Sequence, residues 1–376
     1  MLYYFALYLE KMFHPPGFGV FKYITFRSAA AAISALLISF ILGPMIIRIL
    51  KKKQIGEQAK QELQQVGNHV NKAGTPTMGG LIVLLSLILP TLLWADIFNW
   101  FVILIVITTL WLGGVGFLDD YLKVIKKKSK GLIGKYKIVG QVCIGLFLGG
   151  IIYFFPDFFN SSFEKFNTLT TVPFSKNLNF DWGVLYIPAV IFILTATSNA
   201  VNLTDGLDGL SIGTVGVSSL ALALIAYFTG NATFAKYLNI THLSGSGELT
   251  IFASAMVGAS LGFLWFNSYP AKVFMGDTGS LALGGAIGGL AILLKKEFLL
   301  PILGGVFFAE TISVIIQVSY FKYTKRKYGE GRRILLMAPL HHHFEKKGWH
   351  EAQIVTRFYI IAIILAIITM ATFKVR

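Results

Sequence analysis

The chemistry of this sequence is concentrated in five polar blocks, each set against an apolar run. They are Lys72-Ala-Gly-Thr-Pro-Thr-Met-Gly-Gly80, Asp119-Asp120-Tyr121-Leu122-Lys123, Asn202-Leu-Thr-Asp-Gly-Leu-Asp-Gly209, Asn267 through Phe274-Met-Gly-Asp-Thr-Gly-Ser280, and Pro339-Leu-His-His-His-Phe-Glu345. Adjacent carboxylates such as Asp119 and Asp120 repel, which raises the proton affinity of one unless a cation or a lysine is near. Such a pair suits a divalent metal, or a base that takes a proton from a phosphate or a hydroxyl. The plainer reading, a solvated helix end, is uncomfortable, because a helix C-terminus disfavours negative charge.

Asp205 and Asp208 are each followed by glycine, Gly206 and Gly209. Glycine lets backbone approach a ligand closely. The two acids can ligate Mg2+ or accept hydrogen bonds from a nucleobase or ribose, and ordinary turn chemistry is the bland alternative. Asp277 and Thr278 open an apolar run and are natural N-caps, yet a helix N-terminus beside glycines can also face a phosphate, and Phe274 can stack on a base. The chain has no Gly-x-x-x-x-Gly-Lys-Ser/Thr phosphate loop. His341, His342 and His343 cannot all face one ion on regular structure; they can donate to phosphates or shuttle a proton. Glu310 and Gln317 lie seven residues apart on one helix face of an apolar run. An ionisable group there is functional by default, and Gln317 falls near the blocks, whereas Glu310 is deeper and has no assigned role beyond tying helices together.

The elements that position these blocks must be membrane helices. Of the 376 residues 55% are hydrophobic and only 14% charged, against about 25% charged in a soluble domain. With 32 Phe and 15 Tyr the chain is not disordered either. A span needs about 20 apolar residues, and ten stretches approach this: about 25–50, 78–95, 99–118, 136–155, 184–201, 211–229, 249–267, 279–294, 299–321 and 353–373. The eighth is short and rich in glycine (Gly284, Gly285, Gly288, Gly289), which suits close helix packing. Residues 1–23 read as an aromatic interfacial lead-in rather than a cleavable signal. The lone Cys143 has no partner for a disulfide and reads as a small packed side chain.

Ten spans put both termini on one side. Counting span-end residues with their loops, 23 Lys and Arg fall on one side and 10 on the other. The positive-inside rule then places the richer set in the cytoplasm and both termini outside. The net charge of +15 is therefore topological and implies no nucleic-acid partner; the Lys and Arg clusters suit lipid headgroups. All five blocks fall on the cytoplasmic face, with five of the eight Asp, which points to one composite site. The expected fold is an all-α integral membrane protein forming a single polytopic domain over 1–376, with its active site on the cytoplasmic face.

In combination and in order, these blocks closely resemble the phospho-N-acetylmuramoyl-pentapeptide-transferase family, the lipid I synthases, within the polyprenyl-phosphate N-acetylhexosamine-1-phosphate transferases. The resemblance covers essentially the whole chain. The paired Asp and the Asn-x-x-Asp-Gly-x-Asp-Gly block mark the superfamily; the Gly-Thr-Pro-Thr-Met-Gly-Gly and Ala-Pro-x-His-His-His-Phe-Glu blocks mark the muramoyl-pentapeptide branch. It implies a bacterial inner-membrane enzyme that uses UDP-MurNAc-pentapeptide, undecaprenyl phosphate and Mg2+, and that forms a homodimer. It implies Asp277 as the metal ligand, Asp119 as the base with Asp120 beside it, or an Asp as covalent nucleophile in a two-step scheme. It implies a uridine pocket of Lys72, Thr77, Asn202, Asp205, Gly206, Asp208 and Phe274. Gln317 and His342 lie toward the sugar-peptide side, His341 and His343 near the phosphates, and Asn267 and Lys135 are further candidates.

Two rivals remain. A sister enzyme transferring GlcNAc-1-phosphate would share the superfamily blocks, although the His-His-His-Phe-Glu block argues against it. A transporter or flippase fits the span count, but transporters place charged sites near the bilayer midplane, and here the acids gather at one face.

Overall fold

In hydrocarbon every backbone polar group must be satisfied within the protein, which selects helices. A computed structural model of the chain describes all residues except 15–16, 53–73, 127–130, 160, 176–177 and 374–376. Its helices are α1 (Leu2–Phe13), α2 (Ile24–Lys52), α3 (Gly80–Trp94), α4 (Trp100–Val124), α5 (Gly134–Phe154), α6 (Ser161–Glu164), α7 (Tyr186–Thr204) and α8 (Leu210–Gly230). They continue with α9 (Ala232–Leu238), α10 (Leu249–Asn267), α11 (Gly276–Leu293), α12 (Leu300–Leu303), α13 (Gly305–Tyr328), α14 (Leu340–Lys346) and α15 (Glu351–Ala371).

Among the described residues, eight helices are long and apolar enough to cross a membrane: α2, α4, α5, α7, α8, α10, α11 and α15. Two of the ten expected stretches differ in form. The stretch at 78–95 becomes α3, only 15 residues long, because Gly79 is held against Phe274 just before the helix begins. The stretch at 299–321 is not one rod: a segment from Glu297 to Leu303 meets α13 at 81°, with the break at Gly304, and α13 continues to Tyr328. The chain is also not purely helical. β1 (Leu169–Thr171) and β2 (Asn179–Asp181) pair antiparallel with Thr170 opposite Phe180. Residues 2–13 of the lead-in form α1, and a 3-10 turn follows at Phe18–Lys22.

The core centres on α11, whose residues from Thr278 to Leu293 are all buried. It lies against α4, α7, α3 and α8. Its glycines make this possible: a Cβ at Gly285 would meet Leu112 Cδ1 at 2.1 Å, and one at Gly284 would meet Thr197 O at 2.5 Å. With no hydrophobic drive between helices in lipid, such close approach supplies van der Waals packing instead. A second layer pairs α10 with α2 and α8, and α15 with α8. Cys143 is exposed on α5 rather than packed; an apolar run does not say which of its faces meets lipid.

Hydrogen bonds and ion pairs tie the C-terminal ends of α4, α7 and α10 to the N-terminal ends of α3, α5, α8, α11 and α15 at one end of the bundle. The described residues of the polar blocks belong to that end.

Candidate active site

The site begins where α4 crosses the N-terminus of α11. A Cβ at Gly116 would sit 2.1 Å from Asp277 O, so only glycine lets the helices approach this closely. α4 does not stop at residue 118 but runs on to Val124, so Asp119 and Asp120 lie inside a helix turn, both buried. Neighbours on a helix point about 100° apart, and the two carboxylates diverge. Asp120 accepts from Asp277 N at 3.1 Å, Thr278 N at 2.9 Å and Thr278 Oγ1 at 2.6 Å. It is the cap of α11, supplied from another helix: the carboxylate satisfies N–H groups that have no intrahelical partner and meets the positive end of the helix dipole. Thr278, expected as a capping acceptor, donates instead.

Asp119 faces the other way. Its Oδ1 accepts from Leu132 N at 2.6 Å, which ties the 131–133 turn to α4. Its Oδ2 lies 2.9 Å from Lys137 Nζ and pairs with Lys123, one helix turn on. The same two lysines reach Asp277: Lys123 Nζ is 3.4 Å from Asp277 Oδ2, and Lys137 also pairs with that oxygen. Two carboxylates thus share two ammonium groups. Asp119, Asp120 and Asp277 each bring one oxygen within 4.8 Å of the others.

Around this centre the other blocks assemble. The segment before α3 runs beside Phe274 and Met275: Phe274 N donates to Pro76 O, Gly79 N to Phe274 O and Gly80 N to Met275 O, each at 2.8 Å. This brings the Thr77 hydroxyl to Gly276, where an added Cβ would lie 3.1 Å from it. The Ser280 hydroxyl is 3.0 Å from Asn202 Oδ1. Asp205 closes α7, its N–H donating to Asn202 O at 3.3 Å. Asp208 Oδ2 accepts from Ala271 N at 2.9 Å, and its N–H donates to Glu351 Oε1 at 2.7 Å. Asn267 accepts from Gly209 N at 3.1 Å and donates to Val273 O at 2.9 Å. Asp208 and Asn267 therefore knit loops together.

The three histidines sit on α14 and face three partners. His341 is buried, with Nδ1 3.3 Å from Glu310 Oε1. His342 Nδ1 is 2.6 Å from Glu345 Oε2. His343 Nδ1 accepts from Leu336 N at 3.1 Å. Desolvation, with the like charge of Lys347 added, holds the His343 pKa below the usual imidazole value, in keeping with a ring nitrogen that accepts.

Some expected site residues are occupied elsewhere. The Gln317 amide accepts from Ile334 N and Leu335 N at 3.1 and 3.0 Å and donates to Leu335 O at 3.2 Å, so it templates the 334–335 loop. Lys135 is exposed, 5.0 Å from the Tyr136 ring centroid; Lys137, two residues on, is the lysine that joins the carboxylates. Lys72 lies outside the described residues. Sequence reasoning missed Lys123, Lys137 and Glu351. The four-residue step from Asp119 to Lys123 was a readable ion-pair spacing. Lys137 stands in the first turn of α5, where the helix dipole disfavours a cation, and that misfit was its signal.

Two family models match the chain. A family model described as glycosyl transferase family 4 matches residues 102–295, from α4 through α11. A second, described as phospho-N-acetylmuramoyl-pentapeptide-transferase signature 1, matches residues 72–84, the segment that lies against Phe274. A protein named phospho-N-acetylmuramoyl-pentapeptide-transferase from Chloroherpeton thalassium is 54% identical over 100% of both chains. Proteins of that name from Chlorobaculum parvum and Flavobacterium psychrophilum are 52% and 50% identical, again over 100% of each chain.

Proposed function

The chain belongs to the phospho-N-acetylmuramoyl-pentapeptide-transferase family, enzymes of the glycosyl-phosphate transferase type, and from that premise we propose its reaction in full. It transfers phospho-N-acetylmuramoyl-pentapeptide from UDP to undecaprenyl phosphate with Mg2+, at the cytoplasmic face of the bacterial inner membrane. An oxygen of the lipid phosphate attacks the sugar-bearing phosphorus. The bond from that phosphorus to the bridging oxygen breaks, and UMP leaves with the oxygen, while lipid I keeps the new diphosphate. The observation that carries the reading is the shared pairing of Asp119 and Asp277 with Lys123 and Lys137, built where α4 meets α11 and next to the signature segment.

The donor set fits Mg2+. Three carboxylates offer oxygens within 4.8 Å of one another, and Mg2+ takes hard oxygen ligands. Asp277 would hold it, since Asp120 is committed to the α11 N-terminus and Asp119 is kept for the proton. When bound, the ion supplies positive charge to the diphosphate and to the departing UMP. The chain's own residues do the rest. Asp119 accepts the proton of the lipid phosphate. Lys123 and Lys137, which balance the carboxylates here, are placed to turn toward phosphate oxygens. Thr77, Phe274, Asn202, Asp205 and Gly206 line the approach of the uridine, with Lys72 from the neighbouring segment, and Asp208 and Asn267 hold those loops in place. His342 and Gln317 shape the side facing the sugar and peptide, and His343 lies toward the phosphates. The excess of Lys and Arg at this end supports a cytoplasmic orientation with both termini outside.

The test is UMP release by the purified protein given UDP-MurNAc-pentapeptide, undecaprenyl phosphate and Mg2+. Turnover is expected. Turnover with UDP-GlcNAc but none with the muramoyl nucleotide would establish the sister activity instead.

A further inference from the structure

Glu310 and His341 form a buried pair to which the reaction above assigns no step. Both are shielded from solvent. Glu310 comes from α13, and its Oε1 accepts from the His341 backbone N–H at 3.2 Å while lying 3.3 Å from the ring Nδ1. Its Oε2 and both ring nitrogens of His341 are buried and lack a well-aligned hydrogen bond among the described residues. Buried polar groups are almost always satisfied, so an unsatisfied set marks a place with a purpose beyond packing. The far edge of the imidazole is aimed at the Asn202–Gly209 loop: a Cβ at Gly206 would lie 2.2 Å from Nε2. That loop is joined to the α11 N-terminus through Asn202 and Ser280. Glu310, His341 and Gly206 thus make a line from the interior of the bundle to the candidate site.

We propose that Glu310 is the positioning residue of His341: it holds the imidazole by Nδ1 so that Nε2 faces the loop that receives the nucleotide diphosphate. A carboxylate facing Nδ1 keeps a proton there in both the neutral and the charged ring, because Nδ1–H is the form that donates to it. Nε2 is then the ring atom left to exchange a hydrogen bond with a ligand, and it is the one turned toward the Gly206 loop. This inference rests on the transferase reading given above.

The experiment is a double-mutant cycle on UMP release with Glu310→Ala, His341→Ala and the pair, alongside Glu310→Gln and 15N NMR of the His341 ring. Glu310→Ala is expected to lower kcat by about 10- to 100-fold, with the KM for the nucleotide changed less than threefold. In the His341→Ala background it should add nothing further, since residues that act as one unit are not additive. Glu310→Gln, whose amide oxygen still accepts from Nδ1–H, should restore most of kcat. The 15N spectrum of the unmodified protein should show the Nδ1-protonated tautomer, and that of Glu310→Ala a mixture. Additive losses, an equal rise in KM, or an Nε2-protonated ring in the unmodified protein would overturn the proposal. Glu310→Gln keeps the test valid should Glu310→Ala not fold. Were the unmodified protein to release no UMP, the transferase reading itself would fail; normal turnover with an additive cycle would sink only the role of Glu310.

Discussion

The two ends of the bundle both bury charge, but in opposite ways. At the end far from the polar blocks, Arg27 grips Glu248 with two parallel hydrogen bonds of 2.8 and 2.6 Å. Arg27 also donates to Trp94 O at 3.2 Å and lies under the Tyr3 ring, and Glu248 accepts from Asp96 N at 2.8 Å. Each charge has one fixed partner, and α1 closes over the pair. At the near end the cations are lysines, each shared between Asp119 and Asp277, with side chains 39% and 18% exposed for Lys123 and Lys137. The guanidinium is a planar fork that fixes geometry, whereas the ammonium is a point charge on a flexible stem. The far end is therefore a clasp, and the near end is a charge balance that a phosphate can re-partition.

The largest effect should come from removing one of the two carboxylates that both lysines share. Asp277→Ala is expected to reduce UMP release by on the order of 10³-fold, and chelation of Mg2+ to do the same. Robust activity under either condition would break the metal assignment. Asp119→Asn should lose about 10²- to 10⁴-fold in kcat while nucleotide binding, read by calorimetry, is retained. Lost binding would move Asp119 from the chemistry to the uridine pocket.

Lys137 sharpens the contrast next. Lys137→Ala leaves Asp119 and Asp277 to repel with only Lys123 between them, and activity should fall by about 100-fold. Lys137→Arg should restore little, because a rigid fork cannot be re-partitioned as an ammonium can. By contrast Lys135→Ala, two residues away and exposed, should change activity less than twofold.

The far end should respond in stability alone. Arg27→Ala strands the Glu248 carboxylate, and breaking a buried pair in this way costs about 3–5 kcal/mol. A lower Tm is expected with UMP release per folded molecule unchanged. A loss of turnover at full stability would mean that the two ends are coupled and would undo the division drawn above.

Much of this division is legible in the sequence, though not all of it. The five blocks announce a single site because each interrupts an apolar run at alternate span ends, and the glycines of α11 announce close packing. What the sequence hides is direction. Asp119 and Asp120 are neighbours in the chain, yet the helical turn sends one to the lysines and the other to cap α11. Lys135 and Lys137 look alike, and only the docking of α5 against α4 and α7 selects Lys137. Glu310 reads as an isolated intramembrane acid because its partner, His341, comes from another helix, 31 residues later. The 81° break at Gly304 is equally hidden: hydropathy measures apolar length and is blind to a change of axis.

The smallest effect expected is a pH dependence confined to the far end. Lys295 follows α11 there, fully buried, with Nζ donating to Asn167 O and Tyr186 Oη at 2.6 Å each. Burial lowers its pKa to about 7 from the ordinary 10.5, and the negative charge of Glu297 offsets part of that shift. A lysine depressed in the folded state binds fewer protons there than in the unfolded chain between those two values. Stability must therefore rise with pH across that window, and the penalty is fully present below about 7. Thermal unfolding in detergent should show Tm increasing from pH 7 toward pH 10, with the increase reduced in Lys295→Met. The pH profile of UMP release should be the same in Lys295→Met as in the unmodified protein, because the titrating group sits at the far end of the bundle from the carboxylates. A shifted activity profile in that variant would show that protonation at the far end reaches the site.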